Sequence, residues 1–123
     1  MNLLPAFVRG TQLESKDGWR LPLSGANAKR AMLAPSAEVI LGARHSAITL
    51  HSQDASDAIP GCIYTTEPTG DLTYAHVMLG TSTIVASVPP ERRLQPDQPV
   101  WIGFDPGKLH LFDAKTGQTL PSA

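Results

Sequence analysis

Apolar residues along the chain fall into short runs, each closed by a proline, a glycine or a brief polar turn, and few keep the spacing of a helix face. Leu3 to Val8 is broken by Pro5 and suits an edge or entry strand, where a missing N–H is tolerated. Thr11 to Ser15 pairs naturally with Trp19 to Leu23 across Lys16-Asp17-Gly18, because Asp-Gly between two strand-like runs favours a hairpin turn. Glu38 to Ala43, with Val39, Ile40 and Leu41 in succession, reads as a buried strand, followed by a short extended piece from Ala47 to His51. Ser52 to Pro60, carrying Asp54, Ser56 and Asp57, is a polar surface loop. Beyond it Gly61 to Thr66, Leu72 to Leu79, Ser82 to Val88, Val100 to Phe104 and Leu109 to Phe112 read as strands.

Strict alternation is clearest from Leu72 to Met78. Leu72, Tyr74, His76 and Met78 point one way, and Thr73, Ala75 and Val77 the other. The one stretch with helical propensity, Ala26 to Leu33, covers barely two turns and is expected to be a loop carrying a short helical turn. Eleven prolines and ten glycines in 123 residues reinforce this picture of short strands and many turns. The expected fold is all-β: a small OB-like barrel with additional strands and little helix. One domain over residues 1–120 accommodates the length, with sub-units at 1–52 and 61–120 as an internal division and 121–123 as a tail.

The bulk chemistry narrows the function. A net charge of −1 and only two adjacent basic pairs, Lys29-Arg30 and Arg92-Arg93, argue against a nucleic-acid partner. Cys62 stands alone, so an internal disulfide and a multi-cysteine zinc site are both impossible, and a reducing cytoplasmic compartment is expected. Nothing approaches the roughly 18–20 apolar residues of a membrane helix. His45, His51, Asp54 and Asp57 form the one compact grouping of metal-type ligands, but they meet no known spacing rule and read as solvated side chains; no metal is expected. His76 is expected to be partly buried and hydrogen-bonded, Cys62 to be a small core residue, and Trp101, between Val100 and Ile102, to sit in the core. Ser46 beside His45 is no hydrolase pair, since neighbours on a strand point apart, and the chain has no Gly-x-Ser-x-Gly elbow.

Several motifs, in order, carry a resemblance. Met1-Asn2-Leu3-Leu4-Pro5 comes first, then Leu41-Gly42-Ala43-Arg44, then Leu94-Gln95-Pro96-Asp97-Gln98-Pro99-Val100. Phe104-Asp105-Pro106, Leu109-His110-Leu111-Phe112-Asp113 and Thr116-Gly117 close the series. This series resembles the transport-associated OB domain of ABC-transporter ATPases that import maltose and glycerol phosphate. In that family “Met-Asn-Phe-Leu-Pro” opens the domain, “Leu-Gly-Ile-Arg-Pro-Glu” follows, and “Gln-Pro-Gly-Asp-x-Val” leads to “Phe-Asp-Pro” and “Leu-His-Leu-Phe-Asp”. The chain departs from the pattern at His45-Ser46, where the family has Pro-Glu, and at Asp97-Gln98, where Gly-Asp is common. Asp105-Pro106-Gly107 is expected to make a tight turn, with the glycine supplying a positive φ. Leu109, Leu111 and Asp113 share one strand face and His110 and Phe112 the other, so much of the signature is packing.

The resemblance implies a regulatory and dimerisation domain, non-catalytic in itself. Its partners would be its own ATPase domain, a second ATPase subunit, the membrane permease and a regulatory protein. It would sit in the cytoplasm, peripheral to the inner face of the membrane, and ATP and magnesium would belong to the ATPase domain, leaving this chain without a cofactor. Arg44, His45, Gly70, Asp71, Tyr64 and Trp19 are the candidate interaction surface. The competing reading is an OB-type module that binds a sugar, an oxyanion or an oligonucleotide through an aromatic-bearing barrel face.

The sequence also speaks against catalysis. The nearest approach to a phosphate-cradling Gly-x-x-x-x-Gly-Lys-Ser/Thr loop is Gly103 to Leu109. It is one residue short between its glycines, ends on Leu109 where a magnesium-binding hydroxyl belongs, and runs into a strand. Leu23-Ser24-Gly25 matches only the start of the transporter signature Leu-Ser-Gly-Gly-Gln. The purified chain is therefore expected to release no phosphate from ATP with magnesium; turnover that copurifies with it would overturn the assignment.

Overall fold

The computed structural model describes residues 1–55 and 57–120, so Ser56 of the polar loop and the expected tail 121–123 lie outside the described residues. Among the described residues ten strands form two five-stranded antiparallel sheets. Sheet A has the order β10-β4-β1-β2-β3 and sheet B the order β5-β9-β6-β7-β8. In chain order the strands are β1 (Asn2–Arg9), β2 (Gln12–Glu14), β3 (Arg20–Pro22), β4 (Glu38–Ala43), β5 (Ile48–His51), β6 (Ile59–Pro68), β7 (Thr73–Leu79), β8 (Ser82–Val88), β9 (Pro99–Phe104) and β10 (His110–Asp113). A helix, α1 (Gly25–Met32), links β3 to β4. The fold is β-rich and OB-like. β8 returns alongside β5 with no ladder between them, which curls sheet B into a nearly closed barrel.

The division into sub-units at 1–52 and 61–120 is not the one the sheets follow. β5 already belongs to sheet B, and β10, from the far end of the chain, pairs with β4 in sheet A. Each sheet buries one apolar face, and the two faces cover each other: a single hydrophobic cluster runs from Leu4 through Val39, Leu41, Ile63, Val77 and Ile102 to Leu111 and Leu120. β7 places Thr73, Ala75, Val77 and Leu79 inward and Tyr74, His76 and Met78 outward, as its alternation predicts.

β1 is not an edge strand. It lies between β4 and β2, with Pro5 opposite Ile40. Proline is tolerated because the Val8 N–H bonds Ala37 O, so even-numbered residues of β1 direct their N–H toward β4 and Pro5 faces the other side. There β2 begins pairing only at Phe7, so no ladder bond is lost. The expected loop at Ala26 to Leu33 is instead a true two-turn helix. Alanines and long basic side chains favour it, Lys29 and Arg30 lie in the last turn where the helix dipole attracts cations, and Ala31 is buried in the core. Asn27 is buried as well, and its Nδ2 donates to Pro106 O at 2.8 Å, fastening the helix to the turn before β10.

Three Asp residues show how turns are made here. Asp105 Oδ1 accepts from Gly107 N at 3.0 Å and starts a short 3-10 turn, Pro106–Lys108. Gly107 is not among the positive-φ glycines, contrary to expectation, because the Asp side chain closes the turn within the right-handed region. Asp97 occupies the slot where the family often has glycine, and its φ is +66°. Further on, buried Asp113 accepts from Thr116 Oγ1 at 3.0 Å while Gly117 N donates to Asp113 O at 2.8 Å, which accounts for the polar end of the closing motif.

Side chains also tie the two sheets together. Asn2 behaves as a short surrogate strand on the free edge of β8: its Nδ2 donates to Val85 O and its Oδ1 accepts from Val85 N, both at 2.8 Å. At the hairpin tips Asp17 accepts from the Thr81 N–H and hydroxyl at 3.0–3.1 Å. Gly80 is needed for this contact. Its φ is +63°, and a Cβ there would collide with the side chain of Asp17.

Replacing Asn2 with Ala leaves both Val85 backbone groups without these partners, and urea unfolding is expected to show a loss of about 1–3 kcal/mol. Asp97→Gly removes a left-handed non-glycine residue and is expected to raise stability by about 0.5–1 kcal/mol in the same measurement.

Candidate interaction surfaces

Of the six candidate residues only Tyr64 lies on a strand, on the outer side of sheet B. β6 pairs Ile63 with Val77 and then Thr65 with His76, so Tyr64 is the extra residue of a β-bulge. The bulge falls where Ile63 N donates to Gln98 O at 2.9 Å and Asp97 N donates to Ile63 O at 2.7 Å, binding β6 to the loop ahead of β9. Its effect is to lift the Tyr64 ring into solvent, 62% exposed. Sequence alternation had no means of marking a bulge.

His45 does not lie on a strand. It opens a 3-10 turn, His45–Ala47, and its Nδ1 sits 3.0 Å from Ser87 Oγ while its ring meets Tyr74 edge-on at 5.2 Å. Arg44 is exposed beside it. Gly70, at φ +96°, and exposed Asp71 form the turn that leads into Thr73 and Tyr74. Arg44, His45, Gly70 and Asp71 therefore gather around the Tyr74 end of β7. Further along, His76 Nε2 lies 2.6 Å from Glu67 Oε1, matching the expected partly buried, bonded histidine; such a half-exposed pair adds little stability.

Trp19 departs from the expected surface position. It is 7% exposed, part of the core, and its indole Nε1 finds no acceptor among the described residues. The inward position follows from its place in the β2–β3 hairpin, whose tip folds against Leu79 and Gly80 at the opposite end of β7 from Gly70. Seven strand residues, roughly 20 Å, separate the two ends. The six candidates thus do not form one site.

Two other expectations invert for a related reason. Val100 and Ile102 take the inward positions on β9, so the two-residue period turns Trp101 outward, half-buried opposite Pro60 and His51 instead of in the core. Cys62, next to inward Ile63, likewise faces outward between Met78 and Pro99 and is half-buried. Among the described residues no group of three or more His, Cys, Asp and Glu side chains gathers as a metal site would. No described helix is long and apolar enough to cross a membrane.

The outer side of sheet A holds the apolar surface that the candidate list missed. Leu3 and Met1 are 58% and 55% exposed there, with Pro5, Ile40 and Phe112 alongside in register. Gly42 makes room for them: a Cβ at that position would stand 2.8 Å from both Met1 Sδ and Phe112 Cε2. His110 stacks on Phe112 at 6.3 Å between ring centres. The outward half of the closing motif, with the period of Leu3 and Pro5, was the signal in the sequence that could have found this face.

Residues 41–112, from the middle of β4 to β10, match the TOBE domain family. The chain belongs to that family. This TOBE domain is 32% identical over 120 residues to the sulfoquinovosyl glycerol transport ATP-binding protein SmoE of Agrobacterium fabrum, covering 98% of this chain and 33% of that protein. It is 33% identical over 120 residues to the sn-glycerol-3-phosphate import ATP-binding protein UgpC of Escherichia coli, covering 96% of this chain and 32% of the relative. It spans about a third of the length of these curated relatives. In three dimensions it resembles the cytoplasmic molybdate-binding protein ModG in its molybdate-bound form. The TM-score is 0.73 over 89% of this chain and 94% of that one, at 16% identity, a likeness of fold.

Proposed function

We propose that this TOBE domain is the regulatory and dimerisation domain of the ATP-binding subunit of a sugar or glycerol-phosphate ABC importer, and that it performs no chemistry itself. The observation that carries the reading is the match to ATP-binding import proteins over nearly the whole of this chain but only a third of theirs. ATP and magnesium then bind in the other two thirds, which fits a chain whose nearest phosphate-loop candidate is a β9–β10 turn. The partners on this reading are the ATPase portion, a second subunit, the permease beneath which the dimer works, and a regulatory protein. The place is the cytoplasmic face of the membrane.

The fold supports an interaction role. Asn2 with Val85, Asp17 with Thr81 and His45 with Ser87 tie the two sheets into one unit. A rigid body attached to a domain that opens and closes can bias that equilibrium through contacts made in one state only. The apolar outer side of sheet A and the exposed Tyr64 suit a domain that grips neighbours.

Sedimentation of the chain across a concentration series is expected to show reversible dimers. A strictly monomeric chain at the highest concentrations reached would overturn the dimerisation role. ATPase activity of a full-length subunit that is indifferent to deletion of this domain would overturn the regulatory one.

A further inference from the structure

The cleft where the two sheets meet at β3, β5 and β9 has a chemistry of its own. Its volume is about 460 Å³, in the range of small-ligand sites. Its floor is apolar, built from Leu23, Phe104 and Leu109. Around the rim stand the hydroxyls of Ser24 and Thr49, the His51 ring and the carboxylates of Asp57 and Asp105. Ser24 occupies the N-cap position of α1, yet its hydroxyl makes no capping bond, which leaves it for the cleft. Gly103 has a reason to lack a side chain: a Cβ there would lie 2.9 Å from His51 Nε2, so the imidazole rests over the β9 backbone.

We propose that this cleft is a binding site for a small neutral polyhydroxylated solute. Hydroxyls and an imidazole both donate and accept, as an alcohol-rich ligand requires, and the apolar floor suits its C–H face. An oxyanion is disfavoured, because no Lys or Arg is among the described lining residues and two carboxylates are. A metal ion is disfavoured in turn, because among the described residues no three His, Cys, Asp or Glu side chains gather as a metal site needs, and Asp105 already accepts from Gly107 N at 3.0 Å. The cleft is also formed within one chain, by strands of both sheets, so occupancy would brace the junction between them. The inference rests on the cleft alone and stands or falls separately from the importer reading.

The test is amide-resolved NMR of the chain titrated with glycerol, xylitol and glucose, with molybdate, phosphate and methylammonium as ionic probes. Saturable shifts are expected at Thr49, His51, Gly103 and Asp105 for at least one polyol, with dissociation constants on the order of 1–10 mM. Thr49 is exposed, so Thr49→Val keeps the fold while removing the hydroxyl, and is expected to weaken that binding about fivefold to tenfold. Thr83→Val, on β8 well away from the cleft lining, is expected to leave it unchanged. Absence of saturable shifts with all three polyols, shifts confined to other surfaces, saturation of the cleft by any ionic probe, or full affinity in Thr49→Val would each overturn the proposal.

Discussion

The mutual burial of two sheet faces is the constraint on which everything else rests. Neither sheet can cover its own apolar side, and sheet A is not built from a contiguous stretch of the chain. The chain leaves sheet A after Ala43, builds all five strands of sheet B, and returns to sheet A as β10. Leu41 and Leu111, neighbours in register, therefore come from segments about seventy residues apart and are both almost wholly buried. Fully burying side chains of this size contributes about 1.5–3 kcal/mol each, far more than any of the surface ion pairs, such as Glu14 with Arg9 and Arg20. Apolar burial holds the halves together; the polar cross-links set how they sit.

Those cross-links are few and chemically distinct. Asn2 completes the edge of β8 with a side-chain amide, which spares a barrel edge from exposure without adding a strand. Asp17 reaches a hairpin tip that only glycine could bring so near. Asn27 secures the helix to the turn ahead of β10. Each spends a polar side chain on a backbone or hydroxyl group of a distant segment, so the orientation of one sheet on the other is fixed at several points around the core. A unit held in this way can transmit a contact from one side to the other.

The same architecture leaves three kinds of surface. The outer side of sheet A is apolar, the Tyr74 end of sheet B is polar and aromatic, and the cleft at β3, β5 and β9 combines an apolar floor with hydroxyls and acids. On the reading proposed above, the first two would serve contacts between domains. The third is concave and lined for a small molecule. The proposed partner contacts and the proposed solute site are compatible in one body, because they use different sides of it.

How much of this the chain declared in advance depends on the range over which each feature is decided. Strand identity is local: β4 and β8 fall where the apolar runs place them, and the alternation of β7 orients Thr73, Ala75 and Val77 correctly because pleating has a fixed period. The turn at Asp105-Pro106-Gly107 was legible for the same reason, since turn chemistry is written in neighbouring residues, although the φ of its glycine was not. Trp19, Trp101 and Cys62 were not, because an aromatic or a thiol is compatible with either face and only the register of the strand chooses. The Tyr64 bulge, the Asn2 bridge and the assembly of the cleft depend on segments up to 83 residues apart meeting. The amino-acid order thus determined the strands, the turns and the family; which faces meet, and hence where any surface or cleft can exist, was decided by how two sheets bury one another.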